Sequence, residues 1–189
     1  LETVSIPSSV TSLGYNTFKD CTSLVKVSIP SSIKEIGTSV FTGCTSLQEV
    51  TIPDSIKEIG KNAFFGCISL KNVEIPASVV SIGNYAFNDC KSIEKLSIPP
   101  SVETIGFGAF TGCTALRQIS LPDSVKAIGN LVFCGCSSLE NLSIPPSVTN
   151  IGNSAFKKCS SLAHLAIPAA TKQSNEDLGI EPNVEVTRY

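Results

Sequence analysis

The chain repeats itself every 23 residues along almost its whole length of 189 residues. Each unit has the form L-x-x-V-x-I-P-x-S-V-x-x-I-G-x-x-A-F-x-x-C-T-S, in seven complete copies and a partial eighth, with no insertion or deletion. A period of roughly 20 to 50 residues is typical of repeat proteins, in which similar units stack. The first position of the unit is held by Leu1, Leu24, Leu47, Leu70, Ile93, Leu116, Leu139 and Leu162.

The first part of each unit has the pattern of a short strand. In the third unit, Val50 and Ile52 alternate with polar residues, and Pro53 then ends the pairing because it lacks an N–H group. One face of this strand is therefore expected to be buried and the other exposed. The chain next bends at Gly60, where we expect glycine to permit a positive φ.

The second part of the unit places three apolar residues together. The spacing of Ala63, Phe64 and Cys67 predicts that they share one side of a short helical turn. A coil of this size cannot bury its own apolar edge, so the coils must stack. The sequence therefore predicts an α/β leucine-rich-repeat solenoid of 23 residues per repeat, with a parallel β-sheet on one face and short helical turns on the other.

Two segments are expected within the chain. The solenoid is predicted to occupy residues 1–171, and residues 172–189, which lose the period, are predicted to cap its last apolar face. The first residues show neither a starting methionine nor a cap of their own, and we expect that further repeats precede them. The residues of the cap that we expect to turn inward are Leu178, Ile180, Val184 and Val186.

A serine returns once per unit, two positions after the proline. Serine hydroxyls bond to nearby backbone groups at turns, so we interpret this column as structural, and a serine nucleophile as a remote alternative. The column consists of Ser9, Ser32, Ser55, Ser78, Ser101, Ser124 and Ser147.

A cysteine also returns once per unit, and four roles were weighed for it: metal ligand, disulfide, nucleophile and buried apolar side chain. Zinc sites need clustered Cys or His, whereas this step supplies one ligand per coil. A nucleophilic cysteine needs a base, and the single histidine, His164, lies in the strand part of the eighth unit. We therefore interpret the column as reduced, buried side chains and expect Cys134, outside the column, to point outward. The column consists of Cys21, Cys44, Cys67, Cys90, Cys113, Cys136 and Cys159.

Composition and motifs argue against several classes of function. The net charge of -2, with interspersed signs, gives no field that would attract nucleic acid. No apolar run reaches the roughly 18 residues of a membrane helix, so direct membrane insertion is not expected. No phosphate loop, nucleophile elbow or metalloprotease motif is present, and we predict neither an enzyme nor a cofactor or metal site.

The fixed step together with I-P-x-S-V-x-x-I-G and A-F-x-x-C-x-S-L resembles the BspA-like, or Treponema pallidum-type, leucine-rich repeats. The resemblance covers residues 1 to about 170. It implies a non-catalytic recognition module of a secreted or cell-surface protein, which binds a host matrix or cell-surface protein or glycan. The alternative is an intracellular scaffold or regulatory repeat segment of a larger protein, which unpaired cysteines would suit equally well.

Two surfaces are candidates for binding, because function in such a scaffold should lie in the residues that vary between units. The first is the outward side of the strands, which is polar and mixed in charge. It comprises Lys26, Glu49, Thr51, Asn72, Glu74, Lys95, Gln118, Asn141 and His164. The second is an apolar patch on the opposite side, which comprises Phe65, Tyr85, Phe107 and Leu131.

Overall fold

The computed structural model describes residues 2–189, which wind into eight stacked coils. We number the coils 1 to 8, so that coil 4 is residues 70–92 and coil 5 is residues 93–115. One side of the stack carries a strand from every coil, and we call its outward surface the strand face. Its strands are β1 (Thr3–Ser5), β2 (Lys26–Ser28), β4 (Glu49–Thr51), β6 (Asn72–Val73), β8 (Lys95–Ser97), β10 (Gln118–Ser120), β12 (Asn141–Ser143) and β14 (His164–Ile167).

A second sheet, which the sequence did not predict, follows the bend after each proline. Its six strands are parallel and continuous from coil 2 to coil 7. They are β3 (Glu35–Ile36), β5 (Glu58–Ile59), β7 (Ser81–Ile82), β9 (Thr104–Ile105), β11 (Ala127–Ile128) and β13 (Asn150–Ile151). In both sheets each residue pairs with the residue 23 positions along the chain, as Val27 does with Val50. The predicted parallel solenoid of 23-residue coils is therefore confirmed.

The predicted helical turns are wrong. In coil 3 the amides of Asn62, Phe64 and Gly66 donate to carbonyls of coil 4 at 2.8–2.9 Å, so every second amide bonds to the next coil. A helix cannot form because two positions per coil, four residues apart, have a left-handed backbone with positive φ. These positions are held by Asn16, Ser39, Asn62, Tyr85, Gly108, Leu131 and Ser154, and by Asp20, Gly43, Gly66, Asp89, Gly112, Gly135 and Lys158.

The residues assigned to the inner side of the turn are nevertheless buried. Ala63, Phe64 and Cys67 have no exposed surface. The phenylalanines of successive coils stack with ring centroids 5.2–6.0 Å apart and interplanar angles between 3° and 12°. The core is thus a set of columns, each built from one position of the repeat.

The expected role of Gly60 also needs correction. Gly60 does not adopt a positive φ. A Cβ atom at this position would lie 2.7 Å from the carbonyl oxygen of Ile36 in the preceding coil. Glycine is therefore required because two stacked backbones approach each other closely, and its conformational freedom is not used.

After coil 8, a short helix and one strand occupy the end of the stack. The helix α1 (Asn175–Leu178) accepts backbone hydrogen bonds from Ser154 and Phe156, and β15 (Glu185–Arg188) pairs parallel with β14. Leu178 and Ile180 are buried, while Val184 and Val186 are half-buried against the core. Because this segment covers the last coil, we propose that residues 172–189 act as the cap.

Candidate functional site

The strand face displays all nine of its predicted residues. The alternation along each strand turns the residue between the outward positions into the core, as with Val50 and Leu96, and leaves its neighbours exposed. The register aligns the outward residues in rows across the coils. Exposed are Lys26, Glu49, Thr51, Asn72, Glu74, Lys95, Gln118, Asn141 and His164.

Two ion pairs occur among these residues and their neighbours. Lys26 and Glu49 approach to 2.8 Å, and His164 Nδ1 lies 2.8 Å from a carboxylate oxygen of Glu185. All four side chains are at least half exposed, so water screens both pairs and they contribute little to stability.

A groove interrupts the strand face between coils 4 and 5. The sheet consists of three separate parts, β1-β2-β4-β6, β8-β10 and β12-β14-β15. Strands β6 and β8 approach each other less than any other neighbouring pair of this face. The resulting groove has a volume of about 1120 Å³. Its charged lining residues are Glu49, Asp54, Lys71, Glu74 and Lys95.

Sequence reasoning missed this groove. Coils 4 and 5 keep the length of the repeat and its proline, serine and phenylalanine positions, so the repeat pattern carries no sign of an interruption. The groove nevertheless brings together Glu49, Asn72, Glu74 and Lys95, which were predicted as binding residues on other grounds.

The apolar patch lies on the turn side and is only partly exposed. Phe65 is 37% exposed, whereas Tyr85, Phe107 and Leu131 are half-buried. The rings of Tyr85 and Phe107 pack against each other with centroids 5.1 Å apart. Ile68, which the sequence analysis did not include, is 41% exposed on the same coil as Phe65.

The column cysteines are hydrogen-bonded as well as buried. The Sγ–H group of Cys67 donates to the carbonyl of Phe41 in the preceding coil at 3.1 Å, and five further thiols repeat this bond at 3.0–3.3 Å. Burial raises the pKa of Cys44, Cys113 and Cys159 to about 12. A thiol that stays protonated is a poor nucleophile and a poor metal ligand.

All eight cysteines are free thiols. Cys134 is half-buried and does not project fully outward as expected, and Cys21 is half-buried at the first coil. Across residues 2–189, no three His, Cys, Asp or Glu side chains are close enough to hold a metal ion.

The serine column also bonds between coils. The Oγ–H group of Ser55 donates to the carbonyl of Ile33 at 2.6 Å, and five further serines repeat this contact at 2.6–2.8 Å. The predicted bond to turn backbone is therefore present, with its acceptor in the preceding coil. This use of the hydroxyl supports the structural interpretation of the column.

The part of the chain that the structure describes contains no helix long and apolar enough to span a membrane.

Comparison with known proteins identifies similar repeats. The BspA type leucine-rich repeat region matches residues 1–104 and 80–178, in six copies. A search of curated proteins returned no match. The crystal structure of a leucine-rich repeat protein from T. pallidum is 36% identical over 85% of this chain and 78% of that chain, with a TM-score of 0.82.

Two further solved structures are similar. A leucine-rich repeat protein from Bacteroides ovatus is 28% identical with a TM-score of 0.76, and the match covers 98% of this chain but only 59% of that one. A leucine-rich cell surface protein from Faecalibacterium prausnitzii is 23% identical over 100% of this chain and 79% of that one, with a TM-score of 0.50, which shows the fold alone.

Proposed function

Because the chain belongs to the BspA-type leucine-rich repeat family, in which stacked coils form a protein-interaction module, we propose that it is a non-catalytic recognition module of a cell-surface protein. In this proposal the strand face binds a host matrix or cell-surface protein or glycan.

One observation carries the choice of surface. The buried residues hardly change from coil to coil, whereas the exposed residues of the strand face change in both charge and size. In coils 2 to 5 the first outward position is held in turn by Lys26, Glu49, Asn72 and Lys95. A rigid scaffold with a variable polar surface supports recognition through many weak contacts, since the face has no aromatic anchors.

The proposal predicts the effect of removing the charges of this face. A variant with Lys26, Glu49, Glu74 and Lys95 all changed to alanine should lose binding to a panel of immobilised matrix proteins. Its melting temperature should stay close to that of the wild type, because exposed side chains contribute little to stability. Surface plasmon resonance and thermal unfolding measure the two quantities.

The matched control changes the apolar patch. A variant with Phe65, Tyr85 and Phe107 changed to serine should retain binding if the strand face is the site. Loss of binding in this variant alone would move the site to the turn side.

The free thiols favour a second candidate, an intracellular scaffold. Disulfides are rare in reducing compartments, and the six buried thiols fit such an environment. An antibody raised against the chain separates the two proposals. Labelling of intact cells supports surface display, and labelling of permeabilised cells alone supports the scaffold.

A further inference from the structure

The groove between coils 4 and 5 opens on one side of the solenoid only. On the opposite side β7 and β9 keep their parallel ladder, with Ser81 paired to Thr104 and Ile82 to Ile105. On the strand face β6 and β8 share no ladder. The two coils are therefore joined at the second sheet and separated at the first.

The separation leaves backbone groups without their usual partners. Elsewhere the second residue of a coil donates its amide to the equivalent carbonyl of the preceding coil, as Lys71 does to Gln48 at 3.2 Å and Arg117 to Glu94 at 2.9 Å. Between residues 70–75 and 93–98 the structure shows no backbone hydrogen bond at all. Backbone groups at a strand edge are strong and directional, so they favour a ligand that can pair with them.

The floor of the groove is apolar. Val73 is half-buried, whereas the equivalent Val50 and Leu96 in the flanking coils are each 5% exposed. The missing contact with the next strand explains the greater exposure of Val73, which lines the groove.

The second interruption of the strand face, between β10 and β12, is different. The side chains of Arg117 and Glu140 bridge it with an ion pair at 3.3 Å. In the groove between β6 and β8, neither Glu74 nor Lys95 has an ion-pair partner among residues 2–189. The first interruption is thus the one that offers free charges beside free backbone groups.

We propose that the groove binds an extended peptide segment of the protein partner, which pairs its backbone with β6 on one edge and with β8 on the other. The volume of about 1120 Å³ exceeds the roughly 300 to 1,000 Å³ of a small-molecule pocket and suits an elongated ligand. This inference rests on the proposed function, since it specifies how the strand face recognises a protein.

The lining residues define the side chains of the peptide. At the level of Asn72 and Lys95 the groove is basic, and at the level of Glu74 and Ser97 it is acidic. In a strand, residues two apart face the same side and the residue between them faces the opposite side. The peptide therefore carries an acidic and a basic residue on either side of an apolar one that rests on Val73.

The probe for this inference is a fluorescein-labelled nine-residue peptide with an acidic, an apolar and a basic residue at its centre and threonines around them. Fluorescence anisotropy should detect saturable binding to the wild-type chain. Hydrogen exchange should slow at the amides of β6 and β8 when the peptide binds, and unchanged exchange there would overturn the proposal.

The backbone contribution is tested with the same peptide N-methylated at the central apolar residue. A strand with partners on both edges uses every N–H group, so the loss of one should weaken binding about tenfold. Equal affinity of the two peptides would show that side chains alone hold the ligand, and would overturn the insertion of a strand.

The charge preference is tested with Glu74→Lys, which makes both levels of the groove basic. This variant should prefer a peptide with two acidic residues over the mixed peptide, whereas the wild type prefers the mixed one. Glu58→Lys makes the same charge change on the second sheet of coil 3 and should leave the wild-type preference intact. An unchanged preference in Glu74→Lys overturns the assigned groove chemistry.

These outcomes are separable from the matrix-binding experiment. If no peptide binds but the four-alanine variant loses matrix binding, the groove proposal is wrong and recognition by the strand face stands. If the peptide binds and that variant keeps matrix binding, the groove proposal stands and the matrix proposal is wrong.

Discussion

At the scale of single residues, the repeated cysteine is a hydrogen-bond donor inside the core. Sequence reasoning correctly identified it as a small buried side chain, because the spacing excludes a metal cluster and the histidine lies elsewhere. It did not predict the bond from each thiol to a phenylalanine carbonyl of the preceding coil, such as that from Cys113 to Phe87 at 3.2 Å. That bond depends on the left-handed backbone of the turn, which the alternation of apolar residues does not reveal.

The buried thiols predict loss of stability at alkaline pH. Burial raises the pKa of Cys113 from 9.0 to about 12, so the folded chain keeps a proton that the unfolded chain releases. The stabilisation by the protonated thiol is complete below pH 9 and is lost as pH rises toward 12. Within this range each such thiol should lower the free energy of unfolding by about 1.4 kcal/mol per pH unit.

Denaturant unfolding of the wild type and of Cys113→Ala between pH 8.5 and 11 measures this slope. The variant should be less sensitive to pH, while Cys134→Ala, which alters a half-buried thiol, should retain the wild-type slope. Other titrating groups are common to all three proteins and cancel in the comparison. Parallel curves for the wild type and Cys113→Ala would contradict the prediction.

At the scale of the structural element, the turn is built from two left-handed positions in each coil. The frequent Asn, Asp and Gly at these positions was a usable sign of positive φ, since these residues adopt it most readily. The sequence analysis gave more weight to the spacing of Ala63, Phe64 and Cys67, which a helix and this turn satisfy equally. It therefore found the buried side of the turn and assigned the wrong backbone.

Leu131 provides a test of this backbone assignment, because its φ is 59° and leucine is strained there. Leu131→Asn should raise the free energy of unfolding by about 1 kcal/mol, since asparagine tolerates the left-handed region. Leu131→Ala removes the side chain without relieving the backbone and should give no such gain. Thermal unfolding of both variants decides between backbone and packing, and equal gains would argue against strain.

At the scale of the whole molecule, each coil contacts only its neighbours. The period of 23 residues was sufficient to predict the stack, its parallel register and the identity of the buried columns, because each of these follows from one coil repeated. The separation of β6 and β8 could not be predicted in this way. It distinguishes two coils whose repeat pattern is the same, and it depends on how far successive coils rotate and separate.

The neighbour-only organisation predicts that a complete coil can be removed. Deletion of residues 116–138 brings coil 7 onto coil 5, so that Phe156 stacks on Phe110 in place of Phe133, which lies 5.9 Å from Phe110 in the intact chain. The thiol of Cys159 then meets the carbonyl of Phe110. The shortened chain should fold cooperatively, with a denaturant m-value lower by about one eighth, because it exposes one coil less on unfolding.

Deletion of residues 116–127 is the matched control. It removes only the strand-face half of coil 6, so the second-sheet half that remains has no strand to follow and cannot align with the coils on either side. Circular dichroism and urea unfolding should then show a chain that is much less stable than the one lacking residues 116–138, although it is longer. If the half-coil deletion were tolerated as well as the whole-coil deletion, the 23-residue register would not be what holds the coils together, since the loss of whole columns and the loss of alignment would have the same effect.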